Sequence, residues 1–209
     1  MPGYAVIDTE TTGFSPRTGD RVIEIAVVRL DGAGEVVDTW ETLLNPDRPV
    51  GPTHVHGLTA ADVEHAPRFI EVAEHVAALL AGRVVVGHNV DFDLRFLEHE
   101  FQLAAYPFRV PGRLCTQQLA KTHLPGPKRT LAVCCEQAGV INEHAHSALG
   151  DTIATAELFR YFLRQHPVGV PWADVLAAAE LTAPADDLFA ELFDVALTAP
   201  RTLSRSALA

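Results

Sequence analysis

The chain has 209 residues, of which 48% are apolar, and it carries a formal net charge of −11. This length allows one sizeable domain with a modest appendage, and the apolar fraction is ample for a core. The three cysteines, at positions 115, 134 and 135, fit neither a disulfide framework nor a CxxC metal site. Contacts to phosphates normally need positive charge. A net charge of −11 therefore argues against a broad basic surface that binds phosphate groups.

The first predicted element is a buried strand that ends in two carboxylates. Tyr4 to Ile7 is an apolar run, and Asp8 and Glu10 follow it at a spacing that points both side chains to one face. Thr11, Thr12 and Gly13 then predict a sharp turn. Two carboxylates on one face repel each other unless cations hold them, and such oxygen ligands suit Mg²⁺ or Mn²⁺ rather than Zn²⁺. Taken alone, the pattern also fits an acidic strand end that enters an ordinary turn.

A second short strand is predicted at Val84 to Val86, with Gly87-His88-Asn89 as its exit. Asp93 falls in the first turn of the helix that follows. Apolar and aromatic positions of that helix recur near a 3.6-residue period, at Phe92, Phe96, His99 and Leu103. By itself, Asp93 is better explained as a helix-end charge that complements the helix dipole.

A histidine and an aspartate lie close together before the last helix of the main apolar pattern. His146 precedes Asp151 by five residues. On one continuous helix, this separation would turn the two side chains about 140° apart, so they would not share a face. We therefore place His146 in the approach to the helix and Asp151 in its first turns. The predicted buried stripe of this helix is Ala154, Leu158, Tyr161 and Phe162. Alone, His146 is more simply a solvent-exposed histidine, so the argument depends on the three segments together.

Together, the three segments resemble the motifs of the DEDDh 3′-5′ exonucleases, the DnaQ-like members of the RNase T superfamily. The matching residues are Asp8-Thr9-Glu10-Thr11-Thr12-Gly13, His88-Asn89 with Phe92-Asp93, and His146 through Asp151, together with Val55-His56-Gly57-Leu58-Thr59. The resemblance covers about residues 3 to 165 in the expected order.

The resemblance implies an α/β, ribonuclease H-like fold, with a mixed five-stranded sheet flanked by helices and the carboxylates at its centre. Residues 4–8, 22–30 and 36–44 would form an antiparallel meander. The strand at Val84 would join parallel to the first strand after a helix near Ile70 to Leu80. The local pattern supports this, because Asp31-Gly32-Ala33-Gly34 between two β-branched runs predicts a hairpin turn.

The resemblance also implies two-metal chemistry at a phosphodiester. Asp8 would bridge two Mg²⁺ or Mn²⁺ ions, while Glu10, Asp93 and Asp151 complete their coordination. Two metals about 3.5 to 4 Å apart generate a nucleophile and stabilise charge on the entering and leaving oxygens. His146 would be the general base that takes a proton from the attacking water. Because histidine ordinarily titrates near pH 6.5, we expect the activity to fall in acid.

Substrate contacts are predicted at Thr11, Phe14 and His56. Phe14 follows the turn and could stack against the terminal base, an interaction that tolerates any sequence; a core phenylalanine explains it equally well. His56 corresponds to a family histidine near the terminal nucleotide, whereas His54 is expected at the surface. The turn at 11–13 looks more like the polymerase-proofreading type than like that of the oligoribonucleases, which favours DNA over RNA.

We therefore expect a 3′-5′ exonuclease that releases nucleoside monophosphates from 3′ ends, with single-stranded DNA favoured and a weak grip on long duplex. An RNA-trimming exoribonuclease and a catalytically weak, polymerase-associated binding subunit are the alternatives. Basic residues that could form a local path, or be no more than scattered solubilising charges, are Arg17, Arg21, Lys121, Lys128 and Arg129.

The resemblance ends near residue 165 and divides the chain into an exonuclease domain, 1–165, and a C-terminal extension, 166–209. A linker at 166–171, two short helices at 172–181 and 186–197, and a frayed end from 199 are predicted. The extension either folds back onto the domain or docks a polymerase, a sliding clamp or a second copy of the chain. With no signal peptide and no apolar run long enough to cross a membrane, we expect a cytoplasmic protein without a membrane partner.

Overall fold

The computed structural model describes residues 3–110, 112–143, 145–181 and 202–205. Within these residues the chain forms five strands, one 3₁₀ turn at Pro16–Thr18 and eight α-helices. The strands are β1 (Tyr4–Thr11), β2 (Val22–Leu30), β3 (Val36–Leu43), β4 (Val84–Gly87) and β5 (Arg113–Cys115). The helices are α1 (Thr53–His56), α2 (Ala60–Val63), α3 (Phe69–Leu80), α4 (Asp91–Leu103), α5 (Thr116–His123), α6 (Leu131–Ala138), α7 (Ala148–Arg164) and α8 (Ala173–Glu180).

β1 lies at the centre of a single mixed sheet with the strand order β3-β2-β1-β4-β5. β2 pairs antiparallel with both β1 and β3, whereas β4 joins β1 in parallel and β5 joins β4 in parallel. The predicted five-stranded mixed sheet and its antiparallel meander are thereby confirmed. β1 is longer than predicted, because it continues to Thr11 and carries both Asp8 and Glu10 within the strand.

Helices cover both faces of the sheet, so successive residues of β1 enter different cores. Ala5 and Ile7 pack in the core that α3 and α4 form with the sheet. Tyr4 and Val6 pack in the core on the other face, which residues of α7 and α8 complete. The same alternation sends the side chains of Asp8 and Glu10 toward α7 and that of Thr9 toward α4.

The predicted burial pattern holds at three of four positions in α7 and is partly wrong for α4. In α7, Ala154, Leu158 and Phe162 are buried as predicted, whereas the fourth predicted position, Tyr161, is only partly buried. In α4, Phe96 is fully buried, but Leu103 is 54% exposed because it ends the helix. No helix in the described part of the chain is long and apolar enough to cross a bilayer.

Two parts of the C-terminal extension fold back onto the domain. Trp172, just before α8, is 5% exposed, and its indole N–H donates to the Tyr4 hydroxyl at 3.2 Å. Residues 202–205 lie along β3, where the backbone N–H of Leu43 donates to the carbonyl of Leu203 at 2.8 Å. The predicted frayed end is therefore wrong for Leu203, Ser204 and Arg205, because the first two bond to β3 and the third to Glu24 of β2. The predicted helix at 186–197 lies outside the described residues.

Candidate active site

Three carboxylates converge near the end of β1. Asp8, Glu10 and Asp151 each offer one oxygen, and these oxygens all lie within 4.8 Å of one another. Asp8 and Glu10 come from the α7 face of β1, and Asp151 comes from the first turn of α7. All three are partly buried. Carboxylate oxygens gathered in this way, without thiolate or imidazole partners, suit a hard divalent cation such as Mg²⁺ or Mn²⁺.

Burial and mutual repulsion oppose full ionisation of this cluster. Burial, and then the charges of Asp93 and Asp151, hold the pKa of Asp8 well above its usual range. Burial and the neighbouring charge of Glu24 raise the pKa of Glu10 to about 8. A cation bound among these carboxylates would offset their mutual repulsion and favour their ionised forms. Because the carboxylates hold protons in its absence, binding of the cation would release those protons.

Asp93 lies beside this cluster and is held by β1. Its Oδ1 accepts a hydrogen bond from the Thr9 backbone N–H at 3.0 Å and another from the Thr9 hydroxyl at 2.7 Å. Burial raises the pKa of Asp93 to about 7, although the bonds from Thr9 lower it. Thr9 points to the α4 face, so the first turn of α4 meets it there. Three of the four predicted ligands, Asp8, Glu10 and Asp151, thus form one cluster. The fourth, Asp93, lies close enough to Asp8 for its charge to raise the pKa of Asp8.

The loop before α7 orients Asp151 and presents His146. The Asn142 side-chain amide donates to Asp151 Oδ1 at 2.6 Å, and the His146 backbone N–H donates to Asp151 Oδ2 at 3.3 Å. Ser147 caps the helix by accepting from the Gly150 N–H at 3.1 Å. His146 has a left-handed backbone with φ of 68°, and its side chain is exposed. It therefore precedes the helix, as predicted, and its imidazole is open to a reactant.

The three predicted substrate contacts have different surroundings. Phe14 is 83% exposed, so its interpretation as a core residue is wrong and its ring is available for stacking. The Thr11 hydroxyl donates to the Gly13 carbonyl at 2.7 Å within the turn. His56 is 1% exposed, and its Nδ1 accepts from the Leu58 N–H at 3.1 Å. Thr11 and His56 therefore shape the backbone around the site, and their contact with substrate stays a prediction.

A further acid of the α7 face escaped the sequence analysis. Glu24 is the direct cross-strand partner of Glu10, and its side chain is 1% exposed. Its Oε2 accepts the backbone N–H of Ala148, the first residue of α7, at 3.0 Å. The sequence did carry a signal for Glu24, because it is the one charged residue in the apolar run from Val22 to Val28. An unpaired charge buried in such a strand is costly. Asn142 carried no comparable signal, because an amide in a loop is ordinary.

Two arginines of the predicted basic path are engaged in internal contacts. Arg21 makes a bidentate pair with the buried Glu100, with both N–O distances at 2.7 Å. The Arg129 guanidinium donates to the carbonyls of Pro125 and Leu124 at 3.1 and 3.2 Å. Arg17 differs, because it lines an open groove with Arg95 and His99 of α4.

The mixed sheet carries acidic residues at the end of its central strand, and a helix across its face adds another. This is the arrangement of the ribonuclease H-like fold, with oxygen ligands that suit a divalent cation. The family model described as Exonuclease, RNase_T, matches residues 5–159. The chain therefore belongs to the RNase T family of exonucleases.

Similar proteins agree with this assignment. The chain is 39% identical over 161 residues to a DNA polymerase III subunit epsilon-like protein of Rhodobacter capsulatus, matching 75% of this chain and 23% of that protein. It is 32% identical over 166 residues to the 3′-5′ exonuclease DinG of Bacillus subtilis, matching 78% and 18% of the respective lengths. The chain thus spans about a fifth of the length of these two relatives. A solved structure of Exonuclease X in complex with 5′ overhanging duplex DNA superposes with a TM-score of 0.66 at 27% identity, covering 84% of this chain and 99% of that one.

The raised pKa values of Glu10 and Asp93 predict that the contribution of these carboxylates to the stability of the metal-free protein falls as the pH rises. Between about pH 4 and the folded values of about 8 for Glu10 and about 7 for Asp93, the folded state holds protons that the unfolded chain has released. We therefore expect the unfolding free energy of wild type, relative to Glu10→Gln, to fall by on the order of 1 to 2 kcal/mol from pH 5 to pH 8, because solvent screening limits the effect. Urea unfolding in EDTA measures it.

The comparison with the variant is needed because His88 acts in the opposite direction. Burial lowers the pKa of His88, so its contribution to stability grows as the pH rises through the unfolded value. His88 is present in both proteins and cancels in the difference. A difference between wild type and Glu10→Gln that stays constant from pH 5 to pH 8 would contradict the repulsive cluster.

Proposed function

We propose that this protein is a 3′-5′ exonuclease that uses two divalent cations, Mg²⁺ or Mn²⁺, to hydrolyse phosphodiester bonds at the 3′ ends of single-stranded DNA. Its products are nucleoside monophosphates. The observation that carries the proposal is the convergence of Asp8, Glu10 and Asp151 oxygens within 4.8 Å of one another. Membership of an exonuclease family supports it, and so does the similarity to a protein named as a 3′-5′ exonuclease.

The side chains around the cluster divide the work of hydrolysis. Asp8, Glu10 and Asp151, whose oxygens converge, would hold the cations, and Asp93, which lies beside Asp8, would complete the set of ligands. Bound cations of this kind supply a nucleophilic water near neutral pH and stabilise charge on the leaving oxygen. His146, exposed in the loop before α7, takes the proton of the attacking water and passes it to solvent.

Phe14 provides the contact with the terminal base. It lies directly after the turn that follows Glu10, and its ring is 83% exposed. Stacking of a base on an aromatic ring contributes about 1 to 3 kcal/mol and does not depend on the identity of the base. This suits an enzyme that shortens any 3′ end.

DNA is favoured over RNA because the names of the similar proteins refer to a DNA polymerase subunit and to a DNA complex.

The test is a degradation assay with a 5′-labelled single-stranded oligodeoxynucleotide and a matched RNA, each with Mg²⁺ or Mn²⁺. We expect a DNA ladder that shortens from the 3′ end and is absent in EDTA and with Asp93→Ala. Asp91→Ala is the matched control, because Asp91 starts the same helix but is exposed and paired with Arg113. It should keep full activity.

Other outcomes select the alternatives. Faster degradation of RNA than of DNA would make the protein an RNA-trimming exoribonuclease. No degradation of either substrate would favour the catalytically weak binding subunit, which docks a polymerase or a sliding clamp through its C-terminal extension.

A further inference from the structure

The segment at 202–205 is anchored to the open edge of the sheet. Besides the bond from Leu43, the Leu203 N–H donates to the Thr42 hydroxyl at 3.2 Å, and the Ser204 hydroxyl donates to Glu41. The Leu203 side chain packs against a buried apolar cluster that includes Ile23. Strand-edge bonding and apolar burial thus fix the backbone immediately before Arg205.

Arg205 makes the most specific contact of this segment. Its Nε donates to Glu24 Oε1 at 3.0 Å, and its Nη2 donates to Glu24 Oε2 at 2.8 Å. The Glu24 side chain is 1% exposed and that of Arg205 is 27% exposed. A bidentate fork of this kind fixes the orientation of the carboxylate as well as balancing its charge. Removing the guanidinium would leave a buried carboxylate without its cationic partner.

Glu24 contacts both elements that carry the three clustered carboxylates, β1 and α7. On one side it is the direct cross-strand partner of Glu10. On the other side, Glu24 Oε2, which accepts a bond from Arg205 Nη2, also accepts the backbone N–H of Ala148 at the start of α7. Asp151 lies three residues after Ala148 in the same helix, and His146 lies two residues before Ala148. The orientation of Glu24 therefore affects how α7 meets β1.

We infer that Arg205 is a positioning residue for the reaction, which holds Glu24 against the start of α7 so that Asp151 and His146 face Asp8 and Glu10. The inference rests on the proposed function. Arg205 lies beyond the region that the family model matches, 5–159, so this chain completes its site with a residue from its own C-terminal extension.

The experiment compares full-length wild type with Arg205→Ala and Arg205→Lys. Arg68→Ala is the control, because Arg68, the residue before α3, makes an exposed ion pair with Glu71 in the first turn of that helix. Three quantities are measured: kcat and KM on the labelled single-stranded DNA, the Kd for Mn²⁺, and hydrogen exchange of the Ala148 amide in EDTA. The last reports the bond from Ala148 to Glu24 without any metal.

For Arg205→Ala we expect kcat to fall at least about tenfold while KM changes less than about threefold. Mn²⁺ should bind at least about threefold more weakly, and the Ala148 amide should exchange at least about tenfold faster. Arg205→Lys should recover part of each loss, because lysine keeps the charge but not the fork. Arg68→Ala should match wild type.

Three results would overturn the inference. A raised KM with unchanged kcat would make Arg205 a contact to the substrate phosphate. Tighter Mn²⁺ binding with unchanged kcat would make it a simple counter-charge, and unchanged exchange at Ala148 would remove the link to α7. If wild type cuts no nucleic acid, the exonuclease proposal fails separately, because Mn²⁺ binding and amide exchange still test Arg205. If Arg205→Ala does not fold, Arg205→Lys decides by the same three measurements.

Discussion

Replacing Asp8 with asparagine is expected to lower kcat/KM at least about 1,000-fold, which corresponds to about 4 kcal/mol of transition-state stabilisation, and to stabilise the metal-free protein. The loss is expected because Asp8 lies in the carboxylate cluster and is flanked by Asp93. The gain is expected because burial and neighbouring charges hold the pKa of Asp8 well above its usual range, so its charge destabilises the folded state.

Single-turnover rates and thermal unfolding in EDTA and in Mn²⁺ measure both effects. In EDTA, Asp8→Asn should unfold at a higher temperature than wild type. Added Mn²⁺ should raise the unfolding temperature of wild type more than that of the variant, because only binding to the folded state stabilises it. Glu98→Gln, at an exposed acid of α4, is the control and should change neither quantity. A variant that is inactive and also less stable in EDTA would mean that Asp8 serves the fold rather than the metals.

Replacing His146 with asparagine is expected to lower kcat about 100- to 10,000-fold, the usual contribution of a general base, without weakening metal binding. Asparagine is chosen because the φ of His146 is 68°, and asparagine tolerates the left-handed region better than alanine does. The His146 backbone N–H, which bonds Asp151, is kept in the variant. The Kd for Mn²⁺ should therefore stay close to that of wild type.

The pH dependence adds a second readout for His146. At saturating Mn²⁺, the wild-type rate should fall in acid, because a general base must be free of its proton to act, and the residual rate of His146→Asn should not show this fall. His54→Asn, at an exposed histidine of α1, is the control. A wild-type rate that stays constant down to about pH 5 would falsify the role of His146 as general base.

The carboxylates of β1 were predictable because their geometry is local. Alternation along a strand places Asp8 and Glu10 on one face whatever the rest of the chain does. The position of His146 before a helix, with Asp151 inside it, also follows from spacing, and the structure has both. The metals that these residues would hold, and the base that His146 would supply, stay predictions.

The remaining features depend on contacts between distant parts of the chain. Arg205 and Glu24 are 181 positions apart, and no periodicity relates them. Asp93 is bonded by Thr9, 84 positions away, which requires α4 to cover one particular face of β1. Phe14 was ambiguous because an aromatic residue after a turn suits a core or a surface equally well. Only the packing of the neighbouring elements shows that it lies outside.

The packing of Trp172 determines where this domain can be cut or joined to another protein. The match to the family model stops at residue 159, inside α7, which continues to Arg164. A chain shortened there would lose Phe162 and Trp172, both buried, and would uncover Tyr4 and Phe159 in the core beneath α8. A fragment that keeps this core closed must therefore include α8. One that also ends before residue 203 would lose the Leu203 contact with the cluster around Ile23 and the cationic partner of Glu24.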